Sequence, residues 1–161
     1  MAQLTTEVIR RLLNDAAPPC VSLYQPTHRS NPDALQDPIR YRNLVRDVER
    51  SLLEKYRGRE VRPLLESFRS LEDDREFWAH QRDGLAIVAS AGSFEVFLLQ
   101  RPVKELVVVA DSFHLKPLLR MVQSADRYQL LCLDRHEAKL LEGNRDALDV
   151  VDTGDMATTV T

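Results

Sequence analysis

The sequence predicts an α/β (α+β) chain: an N-terminal mixed sheet with packed helices, followed by a β-hairpin that opens a second, truncated domain. Three observations predict it. A helical stripe of apolar residues runs from Tyr41 to Leu71, strand-like runs replace it from Gly84 onward, and a break at Ser124-Ala125-Asp126 separates those runs from a second set of strands. At 161 residues with 43% apolar and 29% charged side chains, the chain can form a real core, and nothing in that balance points to disorder. Two full domains would be a tight fit.

The elements follow in order. Leu4, Val8, Ile9, Leu12 and Leu13 share one face of a first helix that ends before Pro18-Pro19. Cys20-Val21-Ser22-Leu23-Tyr24 is a short run of β-formers, and Gln25 to Gln36, with prolines, His28, Asn31 and Asp33, reads as an exposed loop. After Pro38 comes the clearest helix: Tyr41, Leu44, Val45, Val48, Leu52, Leu53 and Tyr56 form its stripe, and Gly58 breaks it. Val61, Leu64, Leu65, Phe68 and Leu71 predict an antiparallel helical neighbour across a short connection, and Phe77-Trp78 a further short helix.

Leu85–Ala89 and Phe94–Leu99 around Ala91-Gly92-Ser93 predict a hairpin. Leu106–Ala110, apolar throughout, is expected to be covered on both faces, and Asp111-Ser112 is expected to cap a helix carrying Leu115, Leu118, Leu119 and Val122. Tyr128–Leu133 and Ala138–Gly143 form a second hairpin around Asp134-Arg135-His136, with Leu148–Val151 as a possible third strand. Thr153 to Thr161, small and polar, reads as a flexible tail.

The chemistry-bearing motifs are few. No GxxxxGK[ST] or GxGxxG run exists to cradle phosphates. His28, His80, His114 and His136 are scattered, so no metal and no cofactor is expected. Cys20 and Cys132 each lie in an apolar run and are expected to be buried thiols of a reducing compartment, the cytoplasm. No apolar run is long enough to cross a bilayer, so no membrane is expected as a partner. Asp111, Ser112 and His114 contain the residue types of a hydrolytic triad, but adjacency is not convergence, and capping explains them better. Glu72-Asp73-Asp74 reads as a solvated turn rather than a cation site. Without a complete catalytic site, the chain is expected to bind rather than to catalyse.

The arginines carry a stronger signal. The net charge is −3, yet Arg40 to Arg62 holds eight basic residues against four acidic ones, a local net of +4. Arg42, Arg46 and Arg50 recur every four residues on one helix face, where like charges repel by a few tenths of a kcal/mol. Either Glu49 and Glu54 offset that repulsion, or RNA phosphate does. The expected RNA-binding residues are Arg42, Arg46, Arg50, Arg57 and Arg59, with Thr27, His28 and Arg29 in the loop as a second contact.

Taken in order, Val21-Ser22-Leu23-Tyr24-Gln25-Pro26, the helix pair, the Gly84–Val88 hairpin, Asp111-Ser112-Phe113-His114-Leu115-Lys116-Pro117-Leu118 and the Tyr128–Gly143 hairpin resemble the bacterial relatives of the archaeal and eukaryotic class-1 peptide chain release factor. The likeness covers nearly the whole chain in element order, though each motif is short. It implies a release-factor-like N-terminal α/β domain over residues 1–125, and over 126–152 the opening strands of a middle-type domain of ribonuclease-H-like fold. It also implies a ribosome or tRNA as partner, with no DNA expected, and a role in release, rescue or stress response. Two departures matter. The decoding motif NIKS is replaced by Tyr56-Arg57-Gly58-Arg59-Glu60, and GGQ is absent, the chain stopping at Thr161 about where that loop would begin. Two alternatives stand beside this reading: a small hydrolase using His114 or His28 as general base, and a protein-binding module that forms a homodimer through its C-terminal strands.

Overall fold

The computed structural model describes residues 3–124, 127–144 and 147–152. The chain divides into two compact units, Met1–Val122 and Gln123–Thr161. The expected boundary at 125/126 and the expected tail at 153–161 lie outside the described residues.

The first unit carries helix α1 (Thr6–Asn14), strand β1 (Cys20–Pro26), a 3-10 turn (Asp33–Gln36), α2 (Asp37–Lys55), α3 (Gly58–Ser70), α4 (Arg75–Ala79), β2 (Gly84–Ser90), β3 (Ser93–Leu99), β4 (Leu106–Ala110) and α5 (Lys116–Val122). Its sheet has the order β3-β2-β1-β4. The fold class is α/β, as expected, but the sheet is not mixed: every pairing is antiparallel. The reason is the connection between β1 and β2. A single crossover helix would return the chain to the starting end and make a parallel pair, whereas α2 and α3 together carry it back to the other end.

Strand alternation then sorts the core into two layers. Val21, Leu23, Leu85, Ile87 and Ala89 face α2 and α3, packing with Tyr41, Leu44, Val45, Val48, Leu52, Val61, Leu64, Leu65 and Phe68. Tyr24, Ala86, Val88, Phe97 and Leu99 face the other way, against Ile9 and Leu12 of α1 and Leu115 and Leu118 around α5. Helices thus cover both faces of one sheet. Gly84 is required where β2 begins, because a Cβ there would stand 2.5 Å from the Arg101 carbonyl oxygen.

Several local expectations change. β4 is an edge strand, so Leu106 is exposed and Val107–Ala110 only half-buried; the strands covered on both faces are β1 and β2. Leu13 and Leu53 each lie one residue, about 100° of helix, past a buried leucine, and both are exposed. Asp111 and Ser112 do not cap a helix. The Leu119 N–H donates to the Leu115 carbonyl at 2.9 Å, so α5 starts after Leu115, and the Asp111 carbonyl instead accepts from the Cys20 thiol. Gln25 and Thr27 are buried rather than exposed, because β1 continues to Pro26.

The second unit is a three-stranded antiparallel sheet, β5 (Tyr128–Leu133), β6 (Ala138–Gly143) and β7 (Leu148–Val150), in that order. The third strand expected at Leu148–Val151 is present as β7, Leu148–Val150. Every residue of β5 is exposed, which corrects the expectation for Cys132: it lies open on an edge strand, while Cys20 is buried at the end of β1. Burial, and next the nearby Asp111 carboxylate, push the Cys20 thiol above its usual range.

Candidate nucleic-acid interface

The α2 stripe fixes which arginines face out. Tyr41, Leu44, Val45, Val48 and Leu52 turn inward, so Arg42, Arg46 and Arg50 stand on the opposite side, as their four-residue spacing implies. Their electrostatic situations differ. Arg42 reaches Asp73 at 2.8 Å and Glu72 at 3.9 Å across the helix hairpin. Arg50 pairs with Asp47 one turn back. Among the described residues Arg46 meets only the Asn43 side-chain oxygen, at 3.4 Å.

The expected offset by Glu49 and Glu54 is not how these charges are balanced. Glu49 instead accepts from Arg69 of α3 at 2.7 Å. The i to i+3 spacing of Asp47 and Arg50, and the packing of α3 on α2, decide the partners rather than the i to i+4 rule.

Between α2 and α3 the chain turns at Tyr56-Arg57-Gly58. Arg57 and Arg59 are exposed there, and among the described residues neither meets a carboxylate. Arg46, Arg57 and Arg59 are thus the uncompensated cations of the expected set. The acidic trio is spent elsewhere: Glu72 and Asp73 on Arg42, and Asp74 on the Phe77 N–H at 2.9 Å, capping α4.

The loop residues are held firmly. The Thr27 hydroxyl is buried and donates to the Arg82 carbonyl at 2.8 Å, which removes it from any contact surface. Arg29 lies against Asp83, with Nε and Nη2 at 2.9 and 2.6 Å from Oδ2, a charge-assisted fork. His28 is bound twice to Asp37: its backbone N–H donates to Oδ2 at 2.7 Å and Nδ1 lies 2.9 Å from Oδ1. Asp37 is 1% exposed and also receives Arg40 at 3.4 Å, while the buried Gln25 amide donates to the Asp37 carbonyl at 3.2 Å.

Asp37, Arg40 and Asp83 were not singled out from the sequence. Asp37 precedes Pro38 at a helix start, where an acidic residue is ordinary, and only the return of the 27–36 segment onto α2 makes its carboxylate an anchor.

The two histidines expected as general bases are unlike each other. The His114 backbone is used structurally, its N–H donating to the Ser22 hydroxyl at 2.9 Å and its carbonyl accepting from Tyr24, while its ring packs edge-on against Tyr24. Among the described residues no hydrogen bond joins Ser112 to His114. His28 does have an orienting carboxylate, yet no serine, cysteine or threonine hydroxyl or thiol bonds to its ring among the described residues. No group of three or more metal-binding side chains occurs among the described residues, and no helix among them is long and apolar enough to cross a membrane.

No protein-family model and no curated protein matches the sequence. Solved structures that align with this chain include the following two. One, described as an "Archaeal protein", aligns over 93% of this chain and 45% of its own at a TM-score of 0.50 and 17% identity. The other, archaeal translation termination factor aRF1, aligns over 91% of this chain and 42% of its own at a TM-score of 0.46 and 19% identity. The chain therefore spans less than half the length of these structures.

Proposed function

We propose that this chain is a translation-associated module that binds the ribosome or tRNA, acting in release, rescue or stress response without a hydrolytic motif of its own. The observation that carries the reading is the set of arginines with no carboxylate partner among the described residues: Arg46 on α2, Arg57 in the α2–α3 connection and Arg59 in the first turn of α3. Exposed arginines with carboxylate partners present a locally reduced charge to a phosphate, although the exposed ion pairs themselves are worth at most about 1 kcal/mol. Arginines without such partners offer their full charge and forked donors to a phosphate backbone. The resemblance of the sequence, in element order, to release-factor relatives supports RNA of the translation apparatus as the class of partner. Fluorescence anisotropy with a labelled tRNA tests the reading: affinity falls steeply with salt, and Arg46→Glu with Arg57→Glu and Arg59→Glu abolishes it. Salt-independent binding, or binding unaffected by the three reversals, contradicts the assignment.

One observation favours a second reading, a homodimer through the C-terminal strands: β5 is an edge strand with all six residues exposed, none of them charged. Sedimentation velocity over a concentration series, with Leu131→Lys as the control, decides it. A monomer at every concentration rules it out.

A further inference from the structure

The His28–Asp37 pair is built more firmly than a solvent-exposed loop contact needs. Both carboxylate oxygens of Asp37 already act as acceptors, Oδ2 for the His28 N–H and Oδ1 for Arg40, so the hydrogen shared with His28 Nδ1 resides on the imidazole. That fixes the ring and leaves Nε2 as its available position. The ring remains 38% exposed while its anchor is 1% exposed. Orientation by a buried carboxylate removes the rotamer entropy that a free histidine would lose on binding.

Nε2 accepts a hydrogen bond in the neutral ring and donates one in the charged ring. A phosphate oxygen can only accept, so it suits one of these states. A ribose 2′-hydroxyl both donates and accepts, so it suits either, and it is the group that distinguishes RNA from DNA. We propose that His28, held by Asp37, reads the ribose 2′-hydroxyl of a bound single-stranded RNA and gives the interface its preference for RNA over DNA. This rests on the RNA-binding reading above and adds to it a residue that discriminates between sugars, held by Asp37 at the N-terminal end of α2, whereas the arginines respond only to charge.

The test compares binding of the full chain to a short single-stranded RNA and to the same base sequence on deoxyribose, at one salt concentration. RNA is expected to bind tighter by about fivefold, the worth of one net hydrogen bond. His28→Asn keeps an amide donor for Asp37 but has nothing at the Nε2 position; it should equalise the two affinities while leaving the salt dependence intact. Equal affinity in the unsubstituted protein, or a preference that survives His28→Asn, overturns the role of His28 and leaves the arginine surface standing. Absence of binding to both strands overturns this inference, and the RNA-binding reading falls with it only if the labelled tRNA also fails to bind.

Discussion

The Tyr41 hydroxyl donates to the Phe68 carbonyl at 2.9 Å, joining the first turns of α2 to the last turn of α3 inside the core. Both side chains are fully buried, and the Tyr41 ring also packs on Trp78 at 5.3 Å between centroids. The α2–α3 pair that presents the arginines is therefore fastened at its base. Tyr41→Phe removes this buried hydrogen bond, the Phe68 carbonyl keeping only the Leu71 N–H at 3.3 Å, and should cost about 1 kcal/mol in denaturant unfolding.

The same hydroxyl makes stability fall at alkaline pH. Burial, and then the nearby Glu72 charge, raise the Tyr41 pKa above the ordinary tyrosine value, and burial raises Tyr24 likewise. A raised folded-state pKa contributes stability that is present below the unfolded value of about 10 and is lost as pH rises beyond it. Denaturant midpoints measured upward from neutral pH should hold steady and then fall, and Tyr41→Phe should flatten that decline.

The two thiols should react at very different rates. Cys132 lies on the open β5 strand, whereas Cys20 is buried, bonded to the Asp111 carbonyl and shifted toward the unreactive thiol form. Mass spectrometry after brief maleimide treatment of the native chain should find one adduct, at Cys132, with Cys20 modified only after denaturation.

Asp37→Ala removes the anchor of His28 and a partner of Arg40 at one stroke. The loss should be about 1–2 kcal/mol, since the half-buried His28 N–H and ring lose their acceptor while Arg40 keeps Glu105 at 3.2 Å and the Pro26 carbonyl at 3.5 Å. Gly84→Ala should destabilise by about 1–3 kcal/mol for a different reason, the Cβ meeting the backbone carbonyl of Arg101. Thermal melts of the two variants check both.

The sequence shows the elements well and their partners poorly. Periodicity locates the buried faces of α2 and α3, because Tyr41 to Leu52 and Val61 to Phe68 repeat at helical spacing. It misjudges Leu106–Ala110, whose apolar run is the same in an edge strand as in a central one, and Cys132, whose exposure depends on strand order. It finds the arginine stripe on α2 but not which arginines are neutralised, since Asp73 and Asp83 reach Arg42 and Arg29 from far along the chain. Long-range pairing of this kind leaves no local signature.

The most direct test of the central claim is cosedimentation of the purified chain with bacterial ribosomes across a salt series. Binding should be saturable, weaken as salt rises and be lost when Arg46, Arg57 and Arg59 are reversed to glutamate. No binding at low salt, or binding indifferent to those reversals, would contradict it.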